Sequence, residues 1–163
     1  MSRARQVATV GHVTDRPASW DPARGAPTTE IQYIDLSAVD RDLKAIESVT
    51  CVLGAKAPSR ARQLVKENDV LVATVRPKLN AVGIVPKCYD GATASTGFCV
   101  LRPKADLVCP RYLYHFARST AFVSYLVART TGANYPAVSD GTVRESRLPL
   151  PPLPEQRRIA AML

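Results

Sequence analysis

The chain has 163 residues, of which 46% are hydrophobic and 22% are charged, a composition that fits one folded domain and excludes a disordered chain. No apolar run is long enough to cross a bilayer, and residues 1–5 lead into mixed sequence instead of a signal peptide, so we expect a cytoplasmic protein with no membrane partner. The 22 basic and 14 acidic side chains give a net charge of +8, which favours a polyanion as partner.

The first two thirds of the chain predict mainly strands. Alternation, β-branching and short apolar runs indicate strands over residues 31–36, 49–53, 70–75 and 81–85. A further strand over residues 98–101 is expected to stop at Arg102 and Pro103. One short helix interrupts this pattern: it begins at Pro58, Ser59 is placed to cap its first turn, and it is expected to run through Val65.

The last third of the chain predicts helix. Over residues 110–129 two sets of apolar side chains share a helix face, namely Leu113, Phe116 and Ala117, then Phe122, Tyr125 and Leu126. Strands followed by helices indicate an α+β domain, for which we predict a curved, mostly antiparallel sheet with helices in the C-terminal third. This domain is expected to cover residues 1–147.

Four prolines stiffen the end of the chain: Pro149, Pro151, Pro152 and Pro154. Because they fix φ and remove backbone donors, residues 148–153 should form an extended strap that is neither helix nor central strand. Proline is tolerated in the first turn of a helix, and a helix is predicted over residues 154–163. Its apolar stripe, formed by Ile159, Met162 and Leu163, either packs on its own domain or meets a partner helix.

Half of the net charge falls within residues 56–80. The basic side chains in this segment are Lys56, Arg60, Arg62, Lys66, Arg76 and Lys78. Only Glu67 and Asp69 oppose them, so six basic side chains against two acidic ones leave +4. The segment is either a solvated surface that keeps the protein soluble or part of an anion-binding site.

Sequence patterns that carry catalysis or bind cofactors are missing. There is no glycine-rich phosphate loop, no H-E-x-x-H and no G-x-S-x-G elbow, and Asn134-Tyr135-Pro136 has the wrong order for an amine methyltransferase loop. The four cysteines contain no C-x-x-C pair and are expected to be small buried thiols, and the two histidines are far apart. We therefore expect no catalytic residue, metal or cofactor on this chain.

The sequence Leu148-Pro-Leu-Pro-Pro-Leu-Pro-Glu-Gln-Arg-Arg-Ile-Ala160 is the most specific motif. It resembles the sequence that closes a target-recognition domain in the specificity subunits of type I restriction-modification systems. Weaker matches occur in the family's order at residues 33–36, 68–77, 95–103, 112–114 and 132–136. The resemblance covers most of the chain. The family usually carries two recognition domains and two long helices, whereas one domain and the start of one helix are found here.

The resemblance implies a non-catalytic module, a half subunit or a fragment, that reads one half of a bipartite sequence in double-stranded DNA. A methyltransferase subunit would dock on the helix and a restriction subunit would join through the complex, so S-adenosylmethionine and ATP are expected on those partners. A second recognition domain or a second copy is a further expected partner. The helix would start a long coiled-coil helix with an interface formed by Leu153, Glu155, Gln156, Ile159, Met162 and Leu163.

Two other functions stay open from the sequence. One is the recognition domain of a fused DNA methyltransferase, which would bind DNA in the same way. The other is a DNA-modifying nuclease whose site is assembled from scattered residues, and metal-dependent cleavage of DNA by the purified protein would reveal it.

The loop over residues 76–80 carries the side chains that a DNA reader needs. Arg76 has the forked geometry that pairs with guanine, Asn80 has the amide that pairs with adenine, and Lys78 suits a phosphate. The alternative for Arg76 is an internal salt bridge to Asp69.

The turn over residues 132–136 is the second candidate reading loop. Asn134 is expected to read a base and Tyr135 to stack on one or touch the DNA backbone; the alternative is a tight turn with Asn134 in the left-handed conformation and Tyr135 capping the core. The side chains expected to contact phosphates are Arg60 and Arg62, with Ser95 and Thr96 as further candidates.

Overall fold

The structure is a computed structural model that describes residues 6–163, so the expectation for residues 1–5 lies outside the described part. Its strands are β1 (Val7–Thr9), β2 (Thr14–Asp15), β3 (Glu30–Ile34), β4 (Val39–Asp40), β5 (Ala45–Ile46), β6 (Thr50–Leu53), β7 (Ala61–Leu64), β8 (Val70–Ala73), β9 (Val82–Ile84), β10 (Thr93–Ser95), β11 (Phe98–Pro103) and β12 (Arg147–Pro149). Its α-helices are α1 (Val10–Val13), α2 (Pro22–Gly25), α3 (Pro110–Arg118), α4 (Thr120–Val127), α5 (Asp140–Glu145) and α6 (Leu153–Met162). Among these residues no helix is both long and apolar enough to cross a membrane.

Within residues 6–163, two four-stranded sheets and a layer of helices build the domain. The first sheet has the order β6, β3, β10, β7, in which β3 and β10 are parallel and the other pairs antiparallel. The second sheet, with the order β2, β11, β8, β9, is antiparallel throughout. The mixed α+β fold with mostly antiparallel pairing is therefore confirmed, but the strands divide between two main sheets instead of one.

The central strands of the second sheet are apolar at successive positions because both faces of that sheet are buried. One face joins the core of helices α3 and α4 through Val70, Val72, Cys99 and Leu101. The other face joins the core beneath the first sheet through Leu71, Ala73, Phe98 and Val100. Since successive side chains of a strand point to opposite faces, burial of both faces requires apolar residues along the whole strand.

The helix predicted from Pro58 to Val65 is wrong, because this segment holds strand β7. The strand pairs antiparallel with β10, and the Val65 backbone N–H donates to the Ala92 carbonyl at 2.9 Å. Ser59 lies in the turn before the strand. Pairing with a partner about thirty residues away in sequence outweighs the local helix signal, as often happens for short segments.

Strand β11 runs past its predicted end. It continues through Arg102 and Pro103, which pair with Asp15 and Thr14 of β2. Pro103 is tolerated because it is the last residue of the strand, where a missing backbone donor costs little.

The helix predicted over residues 110–129 is divided at Ser119. Ser119 has an extended backbone, with φ −66° and ψ 148°, which ends α3. Its side-chain oxygen accepts a hydrogen bond from the Phe122 backbone N–H at 3.2 Å and donates one to the Phe116 carbonyl at 2.7 Å. Ser119 is thus the N-cap of α4, a position that favours serine.

The C-terminal segment is attached to the domain through β12 and through the buried side chains of Gln156 and Ala160. Leu148, which the sequence placed in the strap, is fully buried in β12, and it pairs with Ala8 of β1. Residues 150–152 have no regular secondary structure, and α6 begins at Leu153 with Pro154 in its first turn.

Candidate nucleic-acid interface

Several predicted DNA-binding residues lie together where strands of both sheets end. The Thr96 backbone N–H donates to the Arg60 carbonyl at 2.9 Å, so the start of β7 lies beside the turn between β10 and β11. The Thr74 N–H, just after β8, donates to the Gly97 carbonyl of the same turn at 2.9 Å. Arg60 and Thr96 are both exposed. We call the surface formed by Arg60, Thr74, Arg76, Lys78, Thr96 and Tyr135 the basic edge.

The loop over residues 131–137 extends the basic edge. Ala137 forms isolated bridges with Val75 and Thr131, and the Arg76 N–H donates to the Pro136 carbonyl at 2.7 Å. Gly132 closes the loop with φ 96°, a left-handed conformation in which a side chain would come within 3.0 Å of the Tyr135 carbonyl. The loop is therefore held beside the segment that follows β8.

Arg76 is held in an unusual conformation at the basic edge. Its backbone is left-handed, with φ 49° and ψ 58°, which is costly for a residue with a side chain. Its guanidinium carbon lies 5.1 Å from the centre of the Tyr135 ring, within the range of a cation–π contact. The alternative salt bridge to Asp69 is wrong, because the Asp69 carboxylate binds Arg102 at 2.8 Å.

The turn alternative for residues 132–136 is also wrong. Gly132, and not Asn134, has the positive φ in this turn. Tyr135 does not cap the core, since 71% of it is exposed. Asn134 is exposed beside it, so both side chains face outward on a constrained loop.

Lys78 lies in the turn of 3-10 helix that follows Arg76, Pro77–Leu79, and Asn80 is the residue that ends this turn. Lys78 is exposed, as its predicted role requires. Asn80 is turned inward: its side-chain nitrogen donates to the Arg118 carbonyl at 3.1 Å, and its side-chain oxygen is buried. The prediction that Asn80 reads a base is therefore corrected, because its amide is used inside the domain.

Arg62 lines a groove of about 430 Å³ next to the basic edge, together with Arg16, Thr74, Thr96, Asp140 and Arg144. Arg62 is engaged with Asp21 at 2.7 Å, and Arg16 with Asp140. The Arg62 hydrogen bond holds the pKa of the Asp21 carboxyl below its usual value. Burial tends to raise the pKa of Asp140. Hydrogen bonds from Cys99 and Arg144 and the nearby positive charges outweigh the effect of burial, and the pKa of Asp140 is therefore also below its usual value. A phosphate would compete with these carboxylates for the arginines.

Ser95 does not belong to the interface. Its exposed fraction is 0%, and its side-chain oxygen accepts a hydrogen bond from the Gly97 N–H at 3.1 Å. Ser95 therefore shapes the turn that carries Thr96, and the prediction that it contacts a phosphate is corrected. All three residues of β10 are buried, whereas Thr96 lies in the turn beyond the strand and is exposed.

Helix α6 presents a different kind of surface. Its predicted interface residue Gln156 is only 1% exposed, and its amide accepts from the Cys109 N–H at 2.8 Å and donates to the carbonyls of Leu107 and Pro151 at 3.0 and 2.9 Å. Gln156 therefore fixes α6 to its own domain, which corrects its predicted role. Met162 and Leu163 are 72% and 74% exposed. The other predicted interface residues, Leu153, Glu155 and Ile159, line a groove of about 720 Å³.

Within residues 6–163 no group of three or more histidine, cysteine, aspartate or glutamate side chains is placed to hold a metal ion. The cysteines are unpaired thiols, and the prediction of burial holds for Cys99 but not for Cys51 and Cys88, which are exposed. Burial raises the pKa of the Cys99 thiol, which favours its neutral form.

Sequence reasoning missed the arginines whose contacts cross the fold. Arg16 and Asp140 are 124 positions apart, and Arg144 reaches Thr14 from 130 positions away. The sequence analysis also did not single out three basic residues around Tyr114, namely Lys44, Arg111 and Arg118. Arg111 and Arg118 lie seven positions apart on α3, a spacing that places both on one face.

Comparison with known proteins gives a consistent result. Residues 59–163 match the family model for the type I restriction modification DNA specificity domain. The chain is 26% identical over 104 residues to the Type I restriction enzyme HindI specificity subunit of Haemophilus influenzae, covering 63% of this chain and 23% of that protein. It is 30% identical over 132 residues to the MjaIX specificity subunit of Methanocaldococcus jannaschii, covering 81% of this chain and 27% of that protein. The chain thus spans about a quarter of the length of these curated relatives.

Solved structures agree with the sequence relatives. The HsdS subunit from Thermoanaerobacter tengcongensis superimposes with a TM-score of 0.89 at 40% identity, over 96% of this chain and 40% of that chain. A chain from a structure on complex assembly and conformational transition of the type I R-M system gives a TM-score of 0.90, also at 40% identity, with the same two coverages. The S subunit from M. genitalium, at 12% identity and a TM-score of 0.58 over 96% of this chain and 37% of that one, shares the fold.

Proposed function

The chain belongs to the family of type I restriction modification DNA specificity domains, and from this premise we propose that its basic edge reads one half of a bipartite target in double-stranded DNA. The observation that supports this most directly is the arrangement of Arg60, Arg76 and Lys78. These exposed cations lie on segments fixed by backbone hydrogen bonds, and none forms an ion pair within residues 6–163. Duplex DNA, which carries a charge every 1.7 Å or so of its axis, is the matching polyanion.

The basic edge divides into two kinds of contact. Arg60 and Lys78 supply positive charge and Thr96 supplies a hydroxyl group, all of which suit phosphates and set the register of the duplex. Arg76 supplies a forked guanidinium, the side chain that pairs with guanine in the major groove. Tyr135 restricts the positions of that guanidinium by lying against it, so that less conformational freedom is lost when a base is bound. Asn134 is the second proposed base reader.

Helix α6 is the proposed attachment point for a methyltransferase subunit. Gln156 fixes the helix to the DNA-reading domain, while Ile159, Met162 and Leu163 leave an apolar stripe for a partner helix. Methyl transfer from S-adenosylmethionine and the ATP-dependent steps would take place on the methyltransferase and restriction subunits. This chain would contribute specificity without catalysis.

One domain of this size is expected to read one half-site. The ten residues of α6 span about 15 Å at 1.5 Å per residue, whereas neighbouring half-sites lie roughly 34 Å apart. Titration of the 163-residue protein with half-site and full-site duplexes should give similar weak affinities. Tight binding that requires both halves of the target would contradict this proposal.

The test of the DNA interface is a salt titration. Arg60→Ala and Lys78→Ala should weaken binding to every DNA sequence alike and reduce the salt slope by about one unit for each phosphate that is no longer neutralised. Lys87→Ala is the matched control, because Lys87 is also exposed but follows β9 at the opposite end of β8 from the basic edge. Equal slopes for all three variants would remove the basic edge from the interface.

Attachment of the methyltransferase subunit needs a separate test. A double Met162→Glu and Leu163→Glu variant should lose the assembly and keep the melting temperature of the domain, since these two side chains are 72% and 74% exposed. Arg157→Gln serves as the control, because Arg157 is exposed on the same helix but is not one of the predicted interface residues. Assembly that survives both charged substitutions would place the docking surface elsewhere.

A further inference from the structure

A closed set of hydrogen bonds ties helix α3 to two other segments. The Tyr114 hydroxyl donates to the Lys44 carbonyl at 2.7 Å, and the Lys44 ammonium donates to the Asn80 carbonyl at 2.7 Å. The Asn80 side chain returns to helix α3 by donating to the Arg118 carbonyl at 3.1 Å. We call the group formed by Lys44, Asn80, Arg111, Tyr114, His115 and Arg118 the Tyr114 cluster.

The Tyr114 cluster holds positive charges close together. The guanidinium carbons of Arg111 and Arg118 lie 5.9 and 5.0 Å from the centre of the Tyr114 ring. None of Lys44, Arg111 and Arg118 forms an ion pair within the described part of the chain. Burial and the charge of Arg118 lower the pKa of Lys44, and the carboxylates of Asp40 and Asp42 on the same turn oppose this only in part. Like charges that nearby carboxylates offset only in part repel one another, and an anion would relieve that repulsion.

The positive charges of the cluster also affect the pKa of His115. Burial is the larger cause of its lowered pKa, and the charges of Arg118 and Arg111 add to it. The imidazole nitrogen Nε2 of His115 and the side-chain oxygen of Asn80 are buried without a hydrogen-bond partner, and within residues 6–163 no other buried side-chain atom shares this condition. Unmet hydrogen-bonding groups are rare in folded proteins, so their concentration in one cluster marks a place that is not optimised for folding alone.

Backbone strain is concentrated in the same place. Among the described residues four non-glycine residues have a positive φ, and three of them are Lys44, Asn80 and Arg76. Lys44 and Asn80 belong to the cluster, and Arg76 is joined to Asn80 by a single 3-10 turn. Strained backbone persists where the surroundings enforce it, and it is found preferentially at functional sites.

The position of the cluster indicates its ligand. Arg76 and Asn80 flank the three-residue 3-10 turn Pro77–Leu79, so the four steps of chain between them span at most about 14 Å. One DNA strand advances about 3.4 Å per nucleotide, so the Asn80 end of the cluster lies within roughly four nucleotides of a base contacted by Arg76. We propose that the Tyr114 cluster is a phosphate-binding site for the DNA backbone next to the bases read at the basic edge, with Arg111 and Arg118 as its ligands. This inference rests on the proposed DNA-reading function.

The test compares the wild-type protein with an Arg111→Gln and Arg118→Gln double variant, which removes both charges and retains polar side chains. The duplex is the same for both proteins, and its affinity is measured from low to moderate salt. The double variant should bind all sequences roughly tenfold more weakly for each phosphate left without its arginine near 0.1 M salt, with a salt slope reduced by about one unit per phosphate. Preference among bases should not change.

Two further variants keep the result interpretable. Arg118→Lys retains the charge and should keep the wild-type salt slope, whereas Lys87→Gln removes a charge at the far end of β8 and should leave both slope and affinity unchanged. The melting temperature of the double variant should stay close to that of the wild type, because the relief of like-charge repulsion offsets the loss of the two cation–π contacts to Tyr114.

The outcomes separate the two proposals. If the wild type binds no DNA, or if Arg60→Ala and Lys78→Ala leave its salt slope unchanged, the DNA-reading function fails and this inference fails with it. If those variants behave as expected but the double variant keeps the wild-type slope, only the phosphate site is overturned. Loss of methyltransferase-subunit binding with unchanged DNA binding would assign the cluster to an acidic protein surface instead and would likewise overturn it.

Discussion

The arginines inside the domain and the cations of the basic edge differ in their partners. Arg102 lies against the buried carboxylate of Asp69, and Arg144 is bound by Asp140, Thr14 and the Val100 carbonyl. Arg60, Arg76 and Lys78 form no ion pair among the described residues. The same type of side chain thus stabilises the fold where a carboxylate is supplied, and is available to an external anion where none is.

This difference predicts which property each substitution should change. Removing one partner of a buried ion pair leaves the other charge without compensation, which lowers the free energy of unfolding. Removing an exposed cation has little effect on stability but weakens binding to an anion. Arg62 and Arg16 lie between these cases, because each lines the groove beside the basic edge and each is paired with a carboxylate.

The largest expected effect is the loss of the Asp69 and Arg102 pair. Asp69 is 1% exposed, so Arg102→Ala should lower the free energy of unfolding by about 3–5 kcal/mol in urea denaturation. Replacing Asp69 and Arg102 together by Leu and Met should recover most of this loss, since neither charge is then left alone. If Arg102→Ala were as stable as the wild type, the contrast between interior and edge arginines would not hold.

Gln156 extends the comparison to an uncharged side chain. Gln156→Ala leaves the Cys109 N–H and the carbonyls of Leu107 and Pro151 without this partner, and should lower the free energy of unfolding by about 2–3 kcal/mol. Hydrogen exchange of α6 should become faster. Glu155→Ala, next to it but exposed, should cost less than about 1 kcal/mol. Equal losses for the two variants would show that Gln156 does not fix the helix.

Arg76 provides the test for the exposed cations of the basic edge. Arg76→Ala should weaken binding to a matched site by about 1–3 kcal/mol and relax the preference at one base pair, with little loss of thermal stability. Asn134→Ala should act in the same way at a different base pair. A melting temperature that falls in proportion to the loss of binding would instead assign a structural role to the substituted residue.

Tyr135 provides a smaller test of the same loop. Tyr135→Ala should weaken binding by about 0.5–1 kcal/mol, because the guanidinium of Arg76 loses its cation–π partner. Tyr135→Phe keeps the ring and should retain most of the affinity. If Tyr135→Phe lost as much as Tyr135→Ala, the hydroxyl group and not the ring would be the important part.

The parts of the molecule that could be predicted from the sequence are those fixed by local pattern. Strands β8 and β11 were predicted because burial of both faces leaves an apolar run, and Pro154 was placed in the first turn of α6 because its ring fits there. Strand β7 was missed because its conformation depends on pairing with β10, about thirty residues away. Local pattern records burial, whereas strand pairing depends on distant parts of the chain.

The residues of the candidate site could also be predicted from the sequence only in part. Arg60, Arg76, Lys78, Thr96, Asn134 and Tyr135 were placed correctly at the surface from charge and turn composition. Asn80 and Gln156 were not, because their side-chain amides bind backbone groups 38 and 47 positions away in sequence. Ser95 was not, because all three residues of β10 are buried. The partner of Arg62 is Asp21, forty-one positions earlier, and no periodicity joins them.

A similarly small effect concerns Asp140, which binds both the buried Arg144 and the exposed Arg16 and so belongs to both groups of arginines. Burial would raise its pKa, but the Cys99 thiol, Arg144 and the positive charge of Arg16 lower it below its ordinary value of 3.8. Folding therefore favours the ionised carboxylate. Its contribution to stability is fully present above pH 3.8 and is lost as the pH falls through the lower pKa of the folded state.

Asp140→Asn tests this directly. Because the side chain of Asp140 is 37% exposed, solvent screening should limit the loss at pH 7 to about 1 kcal/mol. The melting temperatures of the variant and the wild type should differ at pH 7 and converge below pH 3.8, while a difference that persists in acid would exclude the charge as its cause. The same substitution releases Arg16 at the groove beside the basic edge, so DNA binding at pH 7 should strengthen slightly and the salt slope should rise. Without its carboxylate partner, Arg16 would then contribute to DNA binding as Arg60 and Arg76 do. This outcome is expected if the carboxylate is the only difference between Arg16 and those two arginines.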